Sequence, residues 1–300
     1  MKRLVNRRSV TAFFLVAGVS AAGHVAAASP QRTFVSPDGN DANPCSLVAP
    51  CRTLQAGHDA VASGGDVVIL GSAGYGALMI FHSVSIFAPD GVYGGISVTA
   101  NDGIFVAAAD ATVKLRGLVL NGNGTAGRGI YFGPSGVLSV ENCVISGFTG
   151  AGIDSSAAQT FVKDSFVRGN DTGIAIGGGS GTIDNVRAEN NRIGMRVDDP
   201  ATATIRNSVA AGNSADGFFA FSNPAHAIQA VLNLENCAAS NNAVGIEERF
   251  SVAMLSNCIV TGSTDTGVTG LGGLVYSRQN NTLFNNKTDV SATITPLPPI

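Results

Sequence analysis

Hydrophobic and polar positions alternate along this chain in runs of three to five residues, each broken by Gly, Asn or Asp. Leu138-Ser139-Val140 and Ile174-Ala175-Ile176 are examples. Patterning of period two predicts short strands, and no stretch between Leu115 and Phe284 sustains a helical period. The runs also recur. A Gly-hydrophobic pair returns at Gly129-Ile130, Gly152-Ile153, Gly173-Ile174, Gly194-Met195, Gly217-Phe218, Gly245-Ile246 and Gly267-Val268, in steps of 23, 21, 21, 23, 28 and 22 residues. A second column runs beside it through Gly117, Asn142, Asp164, Asn185, Asn207, Asn236 and Asn257.

Self-similarity at this period is the signature of a stacked-repeat architecture. About 22 residues at roughly 3.3 Å each make a loop of about 70 Å, which three short strands joined by corners can close. The next repeat then lies roughly 4.8 Å above and pairs with it as parallel strands. The Gly and Asn columns are expected at corners needing positive φ, where other residues are strained. The fold class is therefore all-β, a solenoid that is stable only as a stack and needs capped ends.

The register follows from the same columns. Val140, Val162, Ile183, Ile205, Leu234 and Leu255 share a position that should point inward. One residue later, Arg116, Glu141, Lys163, Asp184, Arg206, Glu235 and Ser256 should point outward. The first six alternate in sign, which suits stacked parallel strands because like charges at this spacing repel. This ladder is read as structural.

Rungs of 21 to 23 residues, with Asn at a corner and Gly-Ile entering a strand, resemble the right-handed parallel β-helix of the pectate lyase superfamily. The run from Thr33 to Asp41, followed by Pro50 to Gln55, is similar to the capping segment that opens many secreted members. The likeness spans roughly residues 33 to 290. It implies the fold and leaves the activity open, because such scaffolds host lyases, hydrolases, epimerases, adhesins and non-enzymes.

Residues 1–28 read as a signal peptide. Lys2, Arg3, Arg7 and Arg8 form its basic start, Ala12 to Val19 its apolar core, and Ala26-Ala27-Ala28 its cleavage site. Arg7-Arg8 leaves both general and twin-arginine export open, and the expected location is secreted or periplasmic. The apolar stretch is too short for a comfortable membrane span. Residues 29–65 are expected to form an N-terminal cap, 66–290 the β-helix with irregular early rungs, and 291–300 a tail whose prolines should not continue a ladder. Within the cap, Thr53 to Ser63 is a credible short helix: Thr53 can cap it, and Leu54, His58 and Val61 fall on one face. It would cover the open end of the core. Cys45 and Cys51 lie in a proline-bounded loop, and export favours a disulfide between them. Cys143, Cys237 and Cys258 share the column of Ser165 and Ser208 and read as interior residues.

Loss of the signal would leave 14 Lys+Arg against 21 Asp+Glu, a net charge of −7. That balance argues against nucleic acid and anionic membranes as partners. The chain is expected to act as a monomer with a polysaccharide as its partner.

Candidate chemistry sits on the sheet entered at Gly-Ile, whose outward column is Tyr131, Asp154, Ala175, Arg196, Phe219, Glu247 and Thr269. Tyr131, Asp154, Arg196, Phe219 and Glu247 are the expected ligand contacts, spread over roughly 24 Å at the inter-strand spacing. Asp198-Asp199 and Glu248-Arg249 should lie in the turns just beyond. No adjacent-rung pair of acids stands in this column, so the pair that an inverting glycosidase needs is missing. His226, in the extra loop Phe221 to Ala227, shows no acid partner in sequence, and His58 and His82 read as structural. There is no tryptophan. No metal-ligand cluster stands out, and calcium is the one cofactor the resemblance brings into view. Two functional readings follow. One is an exported β-helix that binds or slowly modifies polysaccharide, with lyase-like or glycoside-hydrolase-like activity if it is an enzyme. The other is a non-enzymatic cell-surface or matrix protein with a structural or adhesive role.

Overall fold

The computed structural model describes residues 29–133 and 135–298. The expected signal peptide lies outside the described residues. Short strands follow one another around a closed path, and each pairs in parallel with the strand one turn before and one turn after it. Three sheets result. Sheet A has 12 strands, from Arg32–Val35 to Ile294–Pro296. Sheet B has 10, from Ala73–Gly74 to Thr282–Phe284, and sheet C has 10, from Leu78–Ile80 to Thr288–Val290.

The inward column is as expected: Val140, Val162, Ile183, Ile205, Leu234 and Leu255 are all buried in one continuous core. The outward ladder also holds its register, with Glu141 beside Arg116 and Lys163, and Arg206 beside Asp184 and Glu235. Among the described residues, however, no ion pair links its neighbouring rungs. Lys163 turns to its chain neighbour Asp164 instead, at 3.5 Å.

The two corner columns work by different physics. Asn142, Asp164, Asn185, Asn207, Asn236 and Asn257 adopt φ of 49–53°, the left-handed region that Asn and Asp tolerate best. The glycines of the Gly-Ile column do not, which corrects the expectation for them. A Cβ on Gly173 would stand 2.4 Å from the carbonyl oxygen of Gly194, and one on Gly217 2.6 Å from that of Gly245. They are glycine because successive rungs approach too closely for any side chain. Against them runs a buried ladder: the Asn170 amide donates to Asn191, Asn191 to Asn213 and Asn213 to Asn242. This ladder satisfies the backbone at the corner between sheets B and C, where unpaired polar groups would be costly.

The helix α1 covers Leu54–Ala60, shorter than the expected Thr53 to Ser63. Thr53 caps it by accepting from the backbone N–H of Ala56, and Val61 ends it in extended conformation while remaining buried. Leu54, Gly57 and His58 face the first turns of the solenoid. His58 accepts from the N–H of Phe81 at 3.0 Å and stacks on His82. Burial, aided by His82, pushes its pKa down to about 4, so it is a neutral core residue. Cys45 and Cys51 form the disulfide, with Cα atoms 4.6 Å apart. The other three cysteines are buried free thiols, and burial pushes Cys143 and Cys237 up to about 12.

The far end differs from the expected proline tail. Ile294–Pro296 pairs with Val275, Tyr276 and Ser277, and the N–H of Leu297 donates to Ser277. Pro296 is tolerated because the strand lies at the sheet edge, where its missing N–H interrupts no ladder.

Candidate functional site

The register of sheet C places Tyr131, Asp154, Ala175, Arg196, Phe219, Glu247 and Thr269 on one another in successive rungs. It also adds Phe105 and Met79 before Tyr131. The strands lengthen toward the C-terminus. Asp198 and Arg249 therefore lie within strands Ile193–Asp198 and Val244–Arg249, not in turns, and with Phe221 between them they form a second outward column. Glu248 alternates inward, is buried, and accepts from the N–H of Ser251 at 2.7 Å. Burial raises its pKa.

The aromatic rings are covered. The Arg128 guanidinium sits 3.7 Å above the Tyr131 ring, held by Asp102 at 3.0 Å and Asp154 at 3.1 Å. Phe219 is buried because Arg196 and Arg249 both lie over its ring, at 5.6 and 5.4 Å. Neither ring presents an open face, so flat stacking of sugars on them is unavailable.

What the column does build is a polar hollow of about 530 Å³, lined by Arg192, Arg196, Asp216, Phe219, Glu247 and Arg249 among others. Asp216 starts its strand and sits beside Val244, one rung below Glu247. Both carboxyls are buried. Burial, followed by the hydrogen bond and charge of Glu247, pushes Asp216 up to about 8, while Arg249 and Arg192 pull the other way. Burial and the neighbouring acid thus favour its protonated form. The adjacent-rung pair that the single column lacked is therefore supplied by two columns. Asp216 was legible through its own column, Ala151, Thr172, Ile193, Asp216, Val244 and Thr266, where a charge interrupts small and β-branched residues.

Each arginine on this face has a carboxylate. Arg128 has Asp102 and Asp154, Arg192 has Asp171 at 2.6 Å, Arg196 has Asp198 at 2.7 Å, and Arg249 has Glu247. The Arg192 hydrogen bond holds Asp171 below the usual carboxylate range, while burial raises Asp198 against the pull of Arg196. Among the described residues, no three His, Cys, Asp or Glu side chains converge as metal ligands. No helix among them is long and apolar enough to cross a membrane.

His226 does have an acid partner. Its Nδ1 meets the Oδ2 of Asp199, 27 residues earlier in sequence and one rung earlier in the stack.

A family model for right-handed β-helix regions matches residues 102–251. No curated protein matches the chain. Among solved structures, pectate lyase Pel9A superposes with a TM-score of 0.53 at 17% identity, covering 88% of this chain and 77% of that one. The A-module of the mannuronan C-5 epimerase AlgE6 of Azotobacter vinelandii gives 0.52 at 14%, covering 82% and 95%. At these identities the likeness is one of fold. With half its length matched by the family and its rungs stacked in three parallel sheets, the chain belongs to the right-handed β-helix region family.

Proposed function

We propose that this chain is an exported polysaccharide-binding protein whose ligand lies along the outer face of sheet C, over Tyr131, Asp154, Arg196, Phe219 and Glu247, with Asp216 as a further contact. The observation that carries the reading is the Asp216–Glu247 pair, buried in a hollow rimmed by Arg192, Arg196 and Arg249. Bringing two acids together out of water opposes folding. The stack does not require it, since Ala151, Thr172, Ile193, Val244 and Thr266 stand at the same position in other rungs. Perturbed acids in a cleft are a common mark of function. The disulfide and the signal-like start support export, and the two structural neighbours act on polysaccharides.

The hollow offers carboxyl acceptors, guanidinium donors and, in Asp216, an acid whose protonated form burial favours, with each arginine already matched by a carboxylate. Such a surface suits the hydroxyl groups of an uncharged glycan, which can donate and accept in turn. A glycan array of the mature protein, followed by calorimetry with and without calcium, tests this. Arg196→Ala and Asp216→Ala should each weaken binding about tenfold, one lost hydrogen bond to a charged or buried group, and Lys163→Ala should not. No binding to any glycan would favour the structural or adhesive reading. The specific support for that alternative is that rings and charges on this face already satisfy one another.

A further inference from the structure

The step from Gly217 to Gly245 is the longest in the repeat, and its extra residues form the loop that leaves the C-terminal end of strand Asp216–Phe221. The loop holds His226 against Asp199. The Asp199 side chain is only 7% exposed and also accepts from the N–H of Asn223 at 3.3 Å, whereas the imidazole is largely exposed. With Nδ1 engaged by a carboxylate, the proton sits on Nδ1 and Nε2 carries the lone pair, which a water reaches by displacing the long contact from the Asn223 amide. The Asn223 side-chain nitrogen lies 3.5 Å from that Nε2. Beside the pair is a hollow of about 390 Å³ whose other walls are Pro200, Ala225, Ala227 and Ile228. Asp198, on the groove face, immediately precedes Asp199, so this hollow adjoins the end of the groove.

We propose that His226, positioned by Asp199, is a general base that activates water to hydrolyse a small acyl ester carried on a saccharide lying in the sheet C groove. No Ser, Thr or Cys lines the hollow, so water is the nucleophile. The apolar walls fit an acyl methyl group better than a sugar ring rich in hydroxyls. Ester cleavage also suits a lone base, because an alkoxide that leaves with one returned proton needs no separate acid. Water loses a proton to Nε2 as its oxygen bonds to the acyl carbon, and the electron pair of the carbonyl moves to oxygen, near the Asn223 amide. The carbonyl re-forms as the ester C–O bond breaks, and the imidazolium returns its proton to the departing sugar oxygen. One water is consumed, and a carboxylic acid and a free hydroxyl are made.

This rests on the groove reading only for delivery of the glycan, and the experiment separates the two. Acetate release is measured from O-acetylated xylan and from the small alkyl ester triacetin, avoiding activated phenyl esters that free imidazole hydrolyses. The expected result is release from xylan that falls about 100-fold or more in His226→Ala, in the range of general-base contributions, with the melting temperature unchanged. Asp199→Asn should lower kcat for release about tenfold with KM for xylan and the melting temperature unchanged, because the carboxylate holds the imidazole tautomer; a loss confined to KM or to the melting temperature would mark a purely structural role. Release from triacetin without binding of xylan would uphold the dyad and overturn the groove. Binding of acetylated xylan with no release, or release indifferent to His226→Ala, would overturn the dyad.

Discussion

Raising the pH should destabilise this protein through Asp216, and Asp216→Asn should remove that effect. The carboxyl has an ordinary value of 3.8 and is pushed up to about 8 in the fold. The native state thus binds the proton more tightly than the unfolded chain. The stabilisation is complete below 3.8, declines as pH climbs, and is fully lost once pH passes about 8. At about 1.4 kcal/mol per pH unit, the climb from pH 5 to pH 8 removes up to about 4 kcal/mol. An asparagine has the same shape, keeps a donor toward Glu247, and has nothing to ionise. Asp171, Asp198 and Glu248 also respond to pH, but identically in both proteins, so the difference isolates the pair. Scanning calorimetry at pH 5, 7 and 9 should find the two proteins alike at pH 5. At pH 9 the variant should melt higher by roughly 10 °C, from the usual scaling of melting temperature with stability. Two curves that shift in parallel across this range would refute the proton-sharing pair and remove the main support for a functional hollow.

The stacking register gives a second test. Ile174→Asp should unfold the rung, because an unpaired buried carboxylate costs several kcal/mol, while the neighbouring outward Ala175→Asp should shift the melt by only a few degrees; equally mild melts would mean that sheet C is inverted. For the cap, Cys45→Ser with Cys51→Ser should lower stability by about 2 kcal/mol on loop-closure grounds, and mass spectrometry of non-reduced digests should recover the bridged peptide. Free thiols at both positions in exported protein would contradict it.

The columns were legible because parallel stacking turns sequence period directly into spatial adjacency: Val140, Val162 and Ile183 had to share an environment once the period was found. What single columns hide is contact between columns. Asp216 and Glu247 stand on neighbouring rungs but at different positions along their strands, so neither column alone reveals the pair. His226 was read as unpartnered because the inserted loop breaks the period at that point, although Asp199 lies one turn before it. The role of the glycines was misread for another reason. Positive φ and exclusion of a Cβ by a neighbouring rung demand the same residue, and only coordinates distinguish them.

The shape of sheet C bears on where any ligand sits. Its strands grow from three residues at Ile130–Phe132 to five at Thr172–Ile176 and six at Ile193–Asp198, Asp216–Phe221 and Val244–Arg249. A three-residue strand projects one side chain outward, here Tyr131, whereas Asp216–Phe221 projects Asp216, Phe219 and Phe221. Widening adds interior residues too, but of the extra outward positions Asp198, Asp216 and Arg249 are charged and Phe221 alone among these four is apolar. Charge is thus concentrated on the rungs where the sheet is widest and where the loop bearing His226 is inserted. A ligand governed by Tyr131 and Asp154 alone would need none of this widening. If the proposed glycan site is right, its centre falls on rungs 193–249, with Tyr131 and its covering Arg128 at the margin, and substitutions at Arg196 or Asp216 should outweigh those at Tyr131 in any binding assay.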